Sequence, residues 1–289
     1  MDTNLLRNFI AIAREGTMTA AAETLHIAQP TLSVQMKNLE QTFGKKLFQK
    51  QGRHIALTEE GFLLRKRAED ILDIVDKTYA EFQEMNILHG GDVRIGCAES
   101  YLIGHLAKTI KKLRSNYPHL HYHITSGGTE AVLERLDQGR LDFAIIVEPP
   151  NLSRYNYLEL PGRDTWGVVM LPEHPLAKKS AICFNDLLND ELIVSEQSLK
   201  ADFPRWCGER IDQLHFTGFT NLFYNGTIFA KNGLGLLLTF EHLVDENSAL
   251  CFRPLTPVLE NTMYVIWRKY QAFTPIAEVL LQALQDEFA

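Results

Sequence analysis

The apolar positions of this chain change rhythm three times, and each change marks a different kind of element. Leu32, Met36 and Leu39 stand at i, i+4 and i+7, the spacing of one buried stripe on an amphipathic helix. The spacing predicts a helix that starts at Pro30, where a preset φ and a missing donor cost nothing. Ahead of it, Thr19 is placed to cap a short helix carrying the alanines 20–22 to Leu25. The stripe of the second helix would pack on Phe9, Ile10, Ala22 and Leu25. Its other face holds Gln29, Thr31, Ser33, Gln35, Lys37 and Asn38, with no acid before Glu40. Short hydroxyls and amides of this kind hydrogen-bond base edges and phosphates without repelling a polyanion.

Residues 45–57 then read as two short strands around a turn at Gly52. The hairpin is basic, and Arg53 at its tip is placed to follow a phosphate strand or to enter a narrow minor groove. From Thr58, followed by Glu59 and Glu60 in the first turn, a long helix is expected onward to about Leu88, stopped by His89-Gly90-Gly91. Gly61, Leu64, Ala68, Ile71, Val75, Thr78, Phe82 and Met85 alternate by three and four along it, a seam that calls for a partner helix or for its own neighbouring domain. Beyond residue 92 strand-like and helix-like segments alternate. Strands are expected at 93–97, 121–126, 142–147, 167–171, 192–195, 234–239 and 263–267, and helices at 102–117, 130–138, 202–214, 224–231 and 275–288. Such alternation predicts parallel sheet with helices on both faces. The spacing leaves room for two α/β lobes split near 161–163 and again near 267–268.

Helix-turn-helix, Leu-Phe-x-Lys-x-x-Arg at 47–53 and Leu57-Thr58-x-x-Gly61 together resemble the LysR-type transcriptional regulators. The resemblance is close over the first sixty residues and extends to the rest by length and domain pattern. It implies a winged helix-turn-helix at 1–58 and a linker and dimerisation helix at 59–89. At 90–289 it implies a two-lobed α/β effector domain of the type II periplasmic-binding-protein kind, α+β overall. Lobe I would hold about 90–161 and 268–289, and lobe II about 162–267. It assigns DNA contact to Gln29, Pro30, Thr31, Ser33, Gln35, Lys37, Lys50 and Arg53. Lys50 stands where the family commonly has arginine, so the charge is kept and the guanidinium fork is lost. The implied partners are double-stranded DNA with an interrupted inverted repeat, a small-molecule effector, RNA polymerase and further copies of the chain, a dimer through the linker helix and then a tetramer. Effector closing the cleft would alter the spacing of the DNA heads in that tetramer, and with it DNA bending.

Charge changes the picture only once it is divided along the chain. The 289 residues carry a formal −7, but residues 1–58 hold seven Lys/Arg against four Asp/Glu, a net +3, leaving 22 against 32, a net −10. A basic head on an acidic body suits a nucleic-acid reader. Apolar content of 45% supports a packed core. No apolar run reaches the roughly twenty residues of a membrane helix, and Met1-Asp2-Thr3-Asn4 lacks the basic start of a signal peptide, so a cytoplasmic protein is expected. Cysteines 97, 183, 207 and 251 have no close pairing, which suits reduced core residues.

Ligands of α/β domains collect beyond the carboxyl ends of the strands. The loops there supply the candidate effector residues Glu99, Ser100, Tyr101, Ser126, Gly127, Thr129, Glu148, Ser195, Asn225 and Thr227. The hydroxyls of Ser100, Ser126, Thr129, Ser195 and Thr227, set near helix starts, suggest an anion site if they converge. Glu99 and Glu148 put negative charge at the same place and point to an effector that also carries a donor or an amine. His119, His121 and His123 share one face of a strand, with no acid or cysteine beside them in sequence. A polar strand face near a subunit interface is therefore expected there, rather than a zinc site. The chain has no Gly-x-Ser-x-Gly, His-Glu-x-x-His, phosphate loop or Gly-x-Gly-x-x-Gly after its first strand. No catalytic residue, metal or cofactor is expected, and a solute-transport protein would need export as well as lacking the wing.

Overall fold

The computed structural model describes residues 2–52, 54–84, 90–147, 152–244 and 248–288. They form two compact units, Met1–Gln83 and Glu84–Ala289. In the first, α1 (Thr3–Glu15) is capped by Asp2, whose carboxylate accepts the Asn4 N–H at 2.9 Å. Helix α2 (Met18–Thr24) begins two residues earlier than expected, because Thr17 rather than Thr19 accepts the Ala20 N–H, at 3.2 Å. Helix α3 (Gln29–Phe43) starts one residue before Pro30. Leu32, Met36 and Leu39 are buried together with Leu6, Phe9, Ile12, Ala21 and Ala22, while Ile10 and Leu25 pack at the edge. Each fully buried Leu, Ile, Met or Phe among them contributes about 2 kcal/mol through the water it sheds.

Strands β1 (Phe48–Gln51) and β2 (His54–Leu57) pair antiparallel with Phe48 opposite Leu57 and Gln51 opposite His54. Helix α4 (Glu59–Glu84) follows. The Thr58 hydroxyl accepts the Gly61 N–H at 3.0 Å and donates to the Lys46 carbonyl at 2.7 Å, so one side chain caps α4 and ties it to the start of the wing. Gly61 is required by close approach, since a Cβ there would lie 2.2 Å from the Leu47 carbonyl oxygen. The expected seam is used in two ways. Gly61, Leu64 and Ala68 are sealed against the unit's own core, joined by Leu72, which the expected seam did not include, with Ile71 at the edge, whereas Val75 is half-buried, Thr78 is exposed, and Phe82 and its neighbour outside the expected seam, Tyr79, are both 68% exposed. Leu72 to Tyr79 and Ala68 to Phe82 are heptad steps, so the two apolar halves continue one face. Met85, the expected stop at 88–89 and Arg53 lie outside the described residues.

In the second unit, β3 (Gly90–Cys97), α5 (Ile103–Arg114), β4 (His119–Ser126), α6 (Thr129–Asp137), β5 (Phe143–Val147) and β6 (Tyr155–Glu159) begin lobe I. The chain crosses at 160–163 into β7 (Asp164–Met170), β8 (Ile182–Cys183), β9 (Glu191–Val194), α7 (Glu196–Ala201), α8 (Phe203–Cys207), β10 (His215–Phe219), α9 (Phe223–Lys231), β11 (Leu236–Phe240), β12 (Cys251–Thr256) and β13 (Glu260–Asn261). It returns as β14 (Met263–Arg268) and α10 (Pro275–Phe288). The lobe I sheet has the order β4-β3-β5-β14-β6, and the lobe II sheet β10-β9-β11-β7-β12-β8 with β13 on β7.

Three expectations need correction. The return crossing lies at 261–263, because β14 pairs with β5 and β6 of lobe I, so 263–267 belong to that lobe. Neither sheet is purely parallel: β14 runs antiparallel to both its neighbours, and β7 runs antiparallel to β11 and β12. A strand that re-enters a lobe from the other one has no crossover helix to fix its direction. The helix expected over 202–214 is α8 followed by a 3-10 turn at Gly208–Gln213.

Candidate functional sites: nucleic-acid interface and interlobe cleft

The outward face of α3 is as polar as its sequence. Gln29, Pro30, Thr31, Ser33, Lys37 and Asn38 are exposed. Gln35 is half-buried, and its Oε1 accepts from Asn8 Nδ2 at 2.8 Å, which fixes the amide so that its own N–H groups are left to donate. Val34 also stands on this outer surface, 58% exposed, an apolar member that the polar pattern concealed. Such a side chain suits a thymine methyl.

The cations of the first 58 residues divide into two sets. Lys45 pairs with Glu60 at 3.4 Å, Lys46 with Glu40 at 2.6 Å and Arg14 with Glu15 at 3.1 Å, and Arg7 binds Asp76 of α4. Among the described residues of the first 58, Lys37 on α3 and Lys50 on β1 are the cations with no carboxylate in reach. The acids have neutralised the sides of the domain and spared the helix and the wing. Glu40, the acid at the end of the polar face, turns under the hairpin and accepts the Leu47 N–H at 3.0 Å. Burial alone would raise its pKa, but Lys46 and the Leu47 and Phe48 amides outweigh that and hold the carboxyl below the usual glutamate range.

Between the lobes lies a cavity of about 390 Å³. Its walls come from the ends of β3, β5, β9 and β11 and from the start of α9, and include Val147, Trp166, Phe219, Leu222, Phe240 and Leu243. Among the described residues two hydrogen-bonded contacts bridge the lobes across it. Gln197 of α7 clasps Thr129 of α6, accepting its N–H at 2.7 Å and donating to its hydroxyl at 2.9 Å. Glu99, after β3, accepts the Phe223 N–H at the start of α9. Each lobe therefore supplies an acceptor to a helix N-terminus of the other, where the exposed amides and the helix dipole favour one.

Beside this cavity, at the first crossing, Asp164 is fully buried with one oxygen accepting from the Ser100 hydroxyl at 2.9 Å and the other without a partner among the described residues. Burial pushes its carboxyl up to about 6, against the opposing pull of the Ser100 hydrogen bond and of His242.

The family model for the LysR substrate binding domain matches residues 88–289, and that for the bacterial regulatory helix-turn-helix protein, lysR family, matches residues 3–62. The chain belongs to the LysR family. The LysR chain is 31% identical over 198 residues to the HTH-type transcriptional regulator CysL of Bacillus subtilis, covering 67% of this chain and 64% of CysL. It is 30% identical over 193 residues to the HTH-type transcriptional regulator YtlI of the same organism, covering 67% and 62%. The chain thus spans a little under two thirds of the length of these curated relatives. Its fold is that of full-length CbnR in complex with its target DNA, with a TM-score of 0.76, 16% identity and 99% coverage of both chains.

Of the effector residues expected in this LysR chain, Glu99, Gly127 and Ser195 line the cavity. Thr129 is at its rim in the grip of Gln197. The hydroxyls do not converge. Ser100 faces Asp164, and Ser195 caps its own helix by accepting the Ser198 N–H at 3.1 Å. Thr227 donates back to the Tyr224 carbonyl at 2.7 Å, and Ser126 is exposed outside the cavity lining. Tyr101 donates to the Arg163 carbonyl at 3.2 Å, with its ring against His242. Asn225 lines a separate hollow with Phe229 and Leu234, and Glu148 lies outside the described residues. Local caps win because a hydroxyl three residues from an orphan amide is satisfied without any ligand. Gln197 and Trp166 were not anticipated, although Gln197 stands inside the loop 195–198 that the strand-end rule selects.

The histidine strand differs in one respect from its sequence reading. An acid does adjoin it: Asp92 of β3 lies opposite His121 and reaches His121 Nδ1 at 3.5 Å and His123 Nε2 at 3.0 Å. Parallel register, which sequence does not display, brings it there. Among the described residues no group of three or more His, Cys, Asp or Glu is arranged to hold a metal. Burial pushes the Cys97 thiol up to about 12, and all four cysteines are unpaired. Among the described residues no helix is long and apolar enough to cross a membrane.

Removing the clasp has a local readout. Gln197→Ala should speed amide exchange at Thr129 about tenfold or more, with Phe223, still held by Glu99, as the internal control. Unchanged protection at Thr129 would mean that the clasp is not what keeps the α6 amide closed.

Proposed function

We propose that this chain is a cytoplasmic, sequence-specific DNA-binding transcriptional regulator whose DNA binding or bending responds to a small molecule held between the lobes. The observation that carries the DNA half is the sorting of charge: acids neutralise Arg7, Arg14, Lys45 and Lys46 and leave Lys37 and Lys50 unpaired. In this reading Gln29, Pro30, Thr31, Ser33 and Gln35 face base edges, and Lys37, Lys50 and Arg53 hold phosphates. The name of CbnR's complex, with its target DNA, supports the same use of the fold. No chemical step enters, only binding and geometry.

Self-association completes the reading. Tyr79 and Phe82 continue the α4 seam beyond the part its own unit seals, and a second copy of α4 is the economical cover. Two heads related by a dyad reach successive major grooves roughly 34 Å apart, which calls for an interrupted inverted repeat. At the free edge of lobe I, Tyr122 and Ile124 are 49% and 45% exposed beside Ile103, Leu106 and Ile110 of α5. That apolar hollow offers a second contact for a tetramer, which would then present bent DNA to RNA polymerase.

Titration of the protein on its own upstream DNA, across a salt series, tests this. Thr31→Ala should relax base preference at one position by about 1–3 kcal/mol, whereas Lys50→Ala should weaken all sequences alike and lower the log–log salt slope by about one. Equal loss of preference in both variants would contradict the division of labour, and binding without sequence preference in the parent protein would remove the regulator reading.

A further inference from the structure

The ionisable side chains lining the interlobe cavity are all acids. They are Glu99, Glu196 and Asp202, and among the described residues no Lys, Arg or His joins them. Asp202 is already satisfied, accepting from Asn261 Nδ2 at 2.6 Å and from Arg205 at 3.3 Å. Glu99 is not: it is half-buried, it accepts one backbone N–H, and no described cation lies within ion-pair distance. A carboxylate partly withdrawn from water with a single neutral donor has room for a positive partner. Trp166 lines the same cavity, and its indole Nε1–H, in a side chain 4% exposed, is a buried donor without an acceptor among the described residues. Native proteins rarely leave such a donor unmet except where a ligand or an ordered water supplies the acceptor. The rest of the lining is mainly apolar and aromatic.

The seats an anion would want are taken. The N-terminus of α9 holds Glu99 and that of α6 holds Gln197, while the first turn of α7, which also lines the cavity, carries Glu196 beside its amides, so an entering carboxylate meets an acid or an occupied amide at each helix start. It would then sit beside Glu99 with no cation to offset the repulsion.

We propose that the cleft selects a small primary amine with an apolar or aromatic body and one acceptor oxygen. Its ammonium binds Glu99, its oxygen takes the Trp166 N–H, and its body fills the aromatic wall. This rests on the cleft being the effector site. It specifies the chemistry of that effector as cationic or zwitterionic rather than a plain organic acid.

The test uses three probes of matched body on the full-length protein: phenylalaninol, 3-phenylpropan-1-ol and 3-phenylpropanoate. Calorimetry gives the affinities, and tryptophan emission, compared between the parent protein and Trp166→Phe, reports whether a probe enters the cleft. Phenylalaninol should bind at least tenfold more tightly than the acid. Glu99→Gln should bring the amine down to the level of the neutral alcohol and leave the alcohol unchanged. Glutamine keeps an acceptor for the Phe223 N–H, and unaltered alcohol binding certifies the fold.

An acid that binds as tightly as the amine, an amine preference that survives Glu99→Gln, or no binding of any probe at millimolar concentration overturns the proposal. Acid binding that quenches Trp166 would overturn the amine class and leave the cleft as effector site. Binding whose emission change persists in Trp166→Phe would overturn the cleft reading itself.

Discussion

Gly61→Ala is expected to destabilise the N-terminal unit by about 3 kcal/mol, a fall in Tm on the order of 15 °C for a unit of this size. The added methyl would stand 2.2 Å from the Leu47 carbonyl oxygen, which is backbone and cannot rotate away. Relief requires α4 to lift from the wing, and lifting it breaks the Thr58 contacts to Lys46 and to the Gly61 amide together. Scanning calorimetry should show the transition of the first unit moving down while that of the second stays in place, and specific DNA binding at 37 °C should fall with it. An unmoved transition would mean that helix and wing are not in the close contact described. The same contact explains why glycine stands three residues after Thr58 in the motif Leu57-Thr58-x-x-Gly61.

The second large effect is a pH dependence centred on Asp164. Its carboxyl is raised to about 6 in the folded protein against an ordinary value of 3.8, so the folded state holds this proton more tightly than the unfolded chain does. Below pH 4 both states are protonated and the residue is neutral to stability. As pH rises toward 6 the unfolded chain ionises first, so the contribution of Asp164 to folding falls. Above that it stays at a penalty of about 3 kcal/mol.

Asp164→Asn removes the charge and keeps an acceptor for the Ser100 hydroxyl. Its stability relative to the parent protein should therefore improve by about 2 kcal/mol between pH 4.5 and pH 7.5. Parallel melting curves for the two proteins across that window would rule this out. Glu40 works in the opposite sense: its lowered pKa gives stability that is present at neutral pH and is lost as pH falls through the glutamate range. Comparing the two proteins, rather than reading one curve, separates these contributions.

The head of the molecule was legible in the sequence because every signal there is local. The stripe Leu32, Met36 and Leu39, the cap at Thr58 and the turn at Gly52 act within a few residues of themselves, and the exposed polar face of α3 follows from that stripe. The one miscast cap, Thr19 for Thr17, came from two hydroxyls two residues apart competing for the same helix start.

The cleft was harder because it depends on what register and crossing bring together. Strand β12 contains Pro254, and β6 alternates exposed polar residues with few buried ones, so neither looks like a strand in isolation. The direction of β14 depends on which lobe it re-enters. Of the five hydroxyls expected to converge, Ser100, Thr129, Ser195 and Thr227 are engaged with other groups and Ser126 is exposed, whereas Gln197 owes its role to a partner 68 residues away and Trp166 to the lack of a partner among the described residues.

Helix α4 spends its first half on its own head and leaves Tyr79 and Phe82 uncovered past that point. The part that would join subunits is thus structurally independent of the part that would touch operators. A chain crippled only at Thr31 or Lys50 should still recruit intact sister chains and carry them into mixed assemblies that grip just half a target site. In a cell expressing both, such an allele would be dominant over the wild type, and trimming Tyr79 and Phe82 in the same allele would make it recessive.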